Sequence, residues 1–321
     1  MLTGVSRVAA IDCGTNSIRL LVADLPEPAD LSGPADDRGD GALTAVVRRM
    51  EIVRLGQGVD RTGRLAPEAI ERTRVALADY AGQIASLGAR RVRMVATSAT
   101  RDATNAEAFR DMVVATLGAE PEVVTGEEEA RLSFAGAVRG LPAGTPPPYL
   151  VVDIGGGSTE FVLGRDTVEH AVSVDAGCVR MTERHLHDDP PTKAQIGAAE
   201  SDIEAAVDRA LGVVPARNAG TLVGLAGSVT TVTALALGLD SYRPERIHHA
   251  SIAVADVARV TAELLAMSRA QRLALPVMHA GRADVIGAGA LILSVVMRRC
   301  GIDSVVASEH DILDGIAYSL R

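Results

Sequence analysis

The sequence predicts an α/β protein built from two related domains, and three observations carry that prediction. Apolar runs of strand length alternate with longer runs of helical period along most of the chain. A strand–acid–glycine–strand pattern occurs twice, once around Asp12 and once around Asp153. A chain of 321 residues that is 47% hydrophobic can also bury two cores.

The repeat is the most specific of the three. Asp12-x-Gly14 aligns with Asp153-x-Gly155 and Ser17 with Ser158, while Leu20-Leu21-Val22 falls on Phe161-Val162-Leu163, all at one offset of 141 residues. In each copy an apolar strand delivers an acid to its end, and a small, glycine-containing turn leads into a return strand. Such a turn can aim backbone N–H groups at one point, as an anion requires, and the acid could hold a divalent cation against a phosphate. Either hairpin alone reads equally well as a tight turn with an acidic tip. Two of them point to a duplicated domain with phosphate-facing loops across a cleft.

The other elements follow in order. Residues 26–42 are rich in Pro, Gly and Asp and read as a solvated hairpin extension. Leu43–Val53 is expected to be a strand. Pro67 opens a helix with Ile70, Leu77, Ile84 and Leu87 on one face, closed by Gly88. Val92–Ala96 reads as a strand feeding a polar loop, Thr97-Ser-Ala-Thr-Arg101, and Asn105 as the N-cap of the helix after it. A short strand, Glu122–Val124, precedes Thr125-Gly-Glu-Glu-Glu129, where Thr125 and Glu128 suit a capping box. Three glutamates in a first helical turn are favoured by the dipole and need no chemistry. Beyond Gly164, strands are expected near Val168 and Val172, then Gly177-Cys178-Val179-Arg180 and a solvated helix over Ala194–Leu211. Leu222–Leu225 runs into Gly227-Ser228, with Ser228 as cap of a helix over Val229–Leu237 whose N–H groups form a third potential anion site. His248-His249 is tempting as a metal pair, but neighbours on a regular element point apart, so two ordinary histidines are expected. Arg282-Ala-Asp284 precedes an apolar helix, and Val305-Val306 and Asp311–Leu320 are the last strand and helix.

Composition removes several functional classes. Lys193 is the only lysine, so no Gly-Lys-Ser/Thr phosphate loop exists, and a phosphate clamp must use arginine, backbone N–H groups or metal. A net charge of −9, no Trp, three Phe and four Tyr disfavour nucleic-acid binding. Cys13, Cys178 and Cys300 are too scattered for a disulfide framework or a zinc site. No membrane-spanning run or signal-peptide pattern is legible, so a soluble cytoplasmic protein is expected.

Taken together, the motifs resemble the Ppx/GppA phosphatase family of exopolyphosphatases and guanosine pentaphosphate phosphohydrolases. The resemblance rests on Asp12-Cys-Gly14-Thr15-Asn16-Ser17, Thr97–Arg101, Gly126-Glu-Glu-Glu129-Ala-Arg131-Leu, Asp153–Glu160, Gly227-Ser228 and Arg282-Ala-Asp284. It implies two ribonuclease-H-like domains of the actin, sugar kinase and heat-shock ATPase superfamily flanking a cleft. Residues 1–127 would form the first and 128–321 the second, with the 311–321 helix docked on the first. Glu129 would be the catalytic glutamate that positions the attacking water, and Glu128 the neighbour a shifted register would promote. Asp153 and Glu160 would lie near Mg²⁺ or Mn²⁺. Gly14, Thr15, Asn16, Ser17, Gly155, Gly156, Gly157, Ser158, Gly227 and Ser228 would bind phosphate, and Arg101 and Arg282 would face it. The resemblance implies inorganic polyphosphate, of short chain length because further C-terminal domains are lacking, or pppGpp as substrate. No nucleic acid or membrane is implied as a partner, and a homodimer is left open. A non-catalytic (p)ppGpp sensor is the alternative of another class, and a sugar-kinase-type kinase is the weakest reading.

Overall fold

A computed structural model describes residues 5–26 and 43–321. The extension read over 26–42 therefore lies outside the described residues, apart from Pro26 at the end of a strand. The chain divides into two compact units. One holds the described residues up to Thr125 together with Ile312–Arg321, and the other holds Gly126–Asp311. No described helix is long and apolar enough to cross a membrane.

The first unit carries β1 (Val5–Cys13), β2 (Ser17–Pro26), β3 (Thr44–Ile52), β4 (Arg91–Ala96) and β5 (Glu122–Val123), in the spatial order β3-β2-β1-β4-β5. The first three pair antiparallel, and β4 and β5 continue in parallel. Its helices are α1 (Val59–Thr62), α2 (Pro67–Leu87), α3 (Ser98–Arg101) and α4 (Ala106–Leu117). Ile11, Cys13, Ile18, Leu20 and Val22 share a core with Leu77, Tyr80, Ile84 and Phe109 of α2 and α4. The opposite face of β1, β2 and β4 is covered by the C-terminal helix, Ile312–Tyr318. As expected, α2 starts on Pro67 and stops at Gly88, whose φ of 71° is the left-handed conformation that glycine adopts without strain.

The second unit repeats the pattern. Strands β6 (Tyr149–Ile154), β7 (Thr159–Gly164), β8 (Val168–Val174), β9 (Thr221–Leu225), β10 (Ser251–Ala253) and β11 (Ser304–Ala307) lie in the order β10-β11-β9-β6-β7-β8. Its core of β8-β7-β6-β9-β11 has the strand directions of the first sheet, and β10 is an added antiparallel edge. The helices are α5 (Gly126–Val138), α6 (Cys178–His185), α7 (Lys193–Leu211), α8 (Ala226–Ala236), α9 (Pro244–Ile247), α10 (Val254–Ala266), α11 (Arg269–Leu273) and α12 (Ile286–Cys300). Alternation along the strands sorts the faces. Leu150, Val152, Ile154 and Phe161 point into the main core with α7 and α12, while Val151 and Val162 meet Ala130, Phe134 and Ala137 of α5.

Several local expectations change. Asn105 sits at the N-cap of α4 but makes no capping bond, because its side chain accepts from Leu65 N at 2.8 Å and donates to Leu65 O at 3.0 Å. Ser228 is not a cap, since α8 begins two residues earlier, at Ala226. The Thr97–Arg101 segment is the one-turn helix α3, and the strands expected near Val168 and Val172 are the single strand β8. The solvated helix is only half solvated, because α7 buries Ala199, Ile203, Ala206, Val207 and Ala210.

Candidate functional site

In the first unit the β1–β2 turn is closed by Gly14 N–H donating to Ser17 O at 2.9 Å. The chain after β3 fixes its outer side. Val53 N and Arg54 N donate to Asn16 O at 3.1 and 2.9 Å, and Gly56 N donates to Thr15 O at 2.8 Å. Gly56 must be glycine here, because a Cβ would run into the Thr15 methyl. The loop after β4 meets the same turn, with Thr97 N on Cys13 O at 3.2 Å and the Thr15 and Ser98 hydroxyls 2.8 Å apart. Arg101 lies at the end of α3 and donates to Val124 O at 3.0 Å. Gly14, Thr15, Asn16, Ser17 and the Arg101 segment thus gather at one end of the first sheet. Asp12 is buried opposite Arg19, which grips its Oδ2 with Nε at 2.9 Å and Nη2 at 2.7 Å.

The second unit brings more of the predicted residues together. Asp153 and Glu160 are direct cross-strand partners, so both side chains stand on the face of the sheet that α5 covers. Both are buried, at 7% and 1% exposure. Ser133 of α5 donates to Asp153 Oδ2 at 2.8 Å. Ser158 and Ser173 each donate to Glu160 Oε1 at 2.7 Å. Glu129 lies one helical turn before Ser133, on the same face of α5, and is 8% exposed. The helix start is held close to the sheet, since a Cβ on Gly126 would meet the Ser173 side chain. The register among the three glutamates follows from this packing. Glu127 pairs on the surface with Arg131 at 2.7 Å, Glu128 is half-buried, and Glu129 is the one that α5 presents inward.

The glycine turn beside these acids is docked onto α6. Gly155 O accepts from Cys178 N at 2.9 Å, and Gly156 O accepts from Val179 N and Arg180 N at 2.9 and 3.1 Å. The first N–H groups of α6 are therefore capped by loop carbonyls. Gly177 allows this approach, because a Cβ there would strike the backbone of Gly156 and Gly157. Arg180 Nε donates to Gly157 O at 2.6 Å.

At the start of α8, Ala226 has a φ of 67° and the Arg282 guanidinium lies where a Gly227 Cβ would stand. Arg282 also reaches Thr231 Oγ1 at 3.4 Å. A guanidinium at the positive end of a helix concentrates positive potential where an anion would be welcome. Ser228 is buried against Gly289 and Cys178. Burial pushes the Cys178 thiol above its ordinary range, against a hydrogen bond from Ser228 and the charge of Arg282. Behind α8, Tyr242 Oη lies 2.7 Å from both Thr230 Oγ1 and Glu309 Oε1, and burial raises its pKa far above that of an ordinary phenol.

The donor chemistry fits a hard divalent cation. Mg²⁺ and Mn²⁺ take one or two carboxylates and complete the shell with water and phosphate oxygens, and Asp153 and Glu160 supply two carboxylates on one face. Among the described residues, no group of three or more His, Cys, Asp or Glu forms a ready-made metal cage.

Sequence reasoning missed Ser133, Ser173, Arg19 and Arg180. Ser133 was findable at four residues beyond Glu129, and Arg19 at the repeat position of Glu160. Ser173 and Arg180 carried no local signal.

Two ribonuclease-H-like units, with an acid-ended hairpin and glycine turn in each, give the α/β fold of the actin, sugar kinase and heat-shock ATPase type. The chain belongs to the Ppx/GppA phosphatase family, whose family model matches residues 36–321. It is 51% identical to Exopolyphosphatase 2 of Mycobacterium tuberculosis, with 98% of this chain and 99% of that protein covered. The crystal structure of an exopolyphosphatase-like protein matches with a TM-score of 0.90 at 45% identity, covering 97% of this chain and 98% of the other. The Aquifex aeolicus member of the family matches with a TM-score of 0.78 at 30% identity, covering 98% and 97%.

Proposed function

We infer that this protein is an exopolyphosphatase that hydrolyses the terminal phosphoanhydride of inorganic polyphosphate and releases orthophosphate. One observation carries the reading: Glu129 and Ser133 share a face of α5, and Ser133 anchors Asp153 beside Glu160 and the glycine turn. The 51% identical relative, named Exopolyphosphatase 2, supports the same chemistry. Glu129 holds the attacking water in line with the terminal phosphorus. A new P–O bond forms to that water as the anhydride P–O bond breaks, and Glu129 accepts the proton late, because early proton abstraction contributes little to such a reaction. The Gly156, Gly157 and Ser158 N–H groups and the Arg282 guanidinium stabilise charge on the phosphoryl oxygens, while the Gly155 N–H closes the turn on Ser158 O at 3.0 Å. Asp153 and Glu160 would hold Mg²⁺ or Mn²⁺, which when bound neutralises phosphate charge.

The test is phosphate release by purified protein with Mg²⁺, offered short polyphosphate, long polyphosphate, pppGpp and ATP side by side. Wild type is expected to favour polyphosphate, and preference for pppGpp would move the assignment to the other activity of the family. Glu129→Ala is expected to keep its melting temperature and lose about 1,000-fold in turnover, the scale of removing a principal catalytic group. A near-wild-type rate in that variant would sink the role given to Glu129.

A further inference from the structure

We propose that Arg180 is the positioning residue that sets the direction of the last N–H in the glycine turn of the second unit. In a trans peptide the C=O of one residue and the N–H of the next are rigidly antiparallel, so fixing a carbonyl fixes the following N–H. Three successive carbonyls of the turn are fixed by α6. Cys178 N holds Gly155 O and thereby aims Gly156 N–H; Val179 N and Arg180 N hold Gly156 O and thereby aim Gly157 N–H. The third carbonyl, Gly157 O, is held by a side chain, Arg180 Nε at 2.6 Å, which aims Ser158 N–H. All three N–H groups are thereby turned away from α6.

Arg180 is built to hold one geometry. Its side chain is 11% exposed, and Nη2 lies 3.7 Å from Asp175 Oδ1 on the segment just before α6. The planar guanidinium thus has a second anchor that limits its rotation. Its position behind the turn also places a positive charge on the side opposite the outgoing N–H groups, which polarises them toward an anion. Ser158 then has two tasks. Its N–H belongs to the turn, and its hydroxyl anchors Glu160. A shift of the Gly157–Ser158 peptide would therefore disturb the anion cradle and the carboxylate together.

The inference rests on the phosphoanhydride-hydrolase reading of the site, and its test separates the two. Inorganic tripolyphosphate binding is measured by titration calorimetry in a Glu129→Gln background, where substrate persists, with and without Arg180→Met. Arg180→Met is expected to weaken binding about tenfold at unchanged stoichiometry, the equivalent of one net hydrogen bond. Arg180→Lys, which retains a donor without the fork, should fall in between. A merely structural role would lower the stoichiometry and leave the affinity of the folded fraction unchanged. Either that result or an unaltered isotherm overturns the proposal, as does failure of tripolyphosphate to bind the Glu129→Gln protein. If wild type releases phosphate from none of the four substrates while Arg180→Met still weakens tripolyphosphate binding, the hydrolase reading falls and the clamp stands.

Discussion

The two hairpins share a scaffold and differ in how it is filled. In the first unit, Asp12 faces an arginine, and Arg19 neutralises it with a two-nitrogen grip. In the second, the same cross-strand position holds Glu160, so Asp153 faces another acid and hydroxyl donors steady both. The turns differ in parallel. The Thr15 and Asn16 carbonyls of the first are held by backbone N–H groups, from Val53, Arg54 and Gly56, whereas in the second the Gly157 carbonyl is held by the Arg180 side chain. One fold thus yields an internally neutral hairpin and one whose paired carboxylates repel. A cation between two facing carboxylates would offset their repulsion, which is the reason the proposed metal side is the second unit.

The glycines test this difference most severely. A Cβ at Gly177 meets only loop backbone, which cannot rotate away. Gly177→Ala is expected to displace the second turn and reduce phosphate release by about 100-fold or more, since a displacement of about 1 Å costs that much in a positioned site. A Cβ at Gly56 chiefly meets the Thr15 methyl, a group that mutation can remove. Gly56→Ala should therefore destabilise by about 1–3 kcal/mol, and adding Thr15→Ser should recover most of that loss. The comparison breaks if Gly177→Ala is tolerated as well as the relieved Gly56 pair, by activity and thermal melting.

The carboxylates come next in size. Arg19→Ala leaves the buried Asp12 without its guanidinium and is expected to cost about 3 kcal/mol in the first unit. Ser133→Ala removes one donor from Asp153 and should cost about 1.5 kcal/mol in the second. Denaturant unfolding of both variants checks the order, and a reversed order would mean the first hairpin is not the neutralised one.

The smallest expected effect concerns pH, because all seven histidines lie in the second unit. His249 stacks on His248 with ring centroids 3.6 Å apart, and His248 lies 4.5 Å from His310. Burial, and then the charge of His310, holds His249 below its ordinary pKa of 6.5. The unfolded chain therefore takes up this proton before the folded chain does. Stability is fully present above pH 6.5 and is lost as pH falls from there through the depressed folded value. His249→Gln should flatten the acid-side decline in melting temperature of the second unit and leave the first unaltered. An equally steep decline in the variant would assign the effect to other groups.

Much of the candidate site's local geometry was legible because its constraints are local. An apolar run that ends in an acid, followed by a glycine turn and a return strand, can form one hairpin, and two copies at one offset make the duplication visible. The three-glutamate run was legible as a helix start, although its inward register required the packing of Gly126 on Ser173. Caps were least legible. Asn105 has the right chemistry for α4, but Leu65, forty residues away in sequence, takes both of its polar atoms.

The sequence by itself therefore determined the strands, the acids at their ends and the turns between them, because side-chain alternation and glycine act over a few residues. Tertiary structure alone decided which groups hold those acids and turns. Ser133 reaches Asp153 because α5 packs on β6 and β7, and Ser173 reaches Glu160 through the register of β7 with β8. Arg180 reaches Gly157 because α6 docks on the turn. Each contact joins residues 13 to 23 positions apart, a range over which no periodicity within one element constrains which side chains meet.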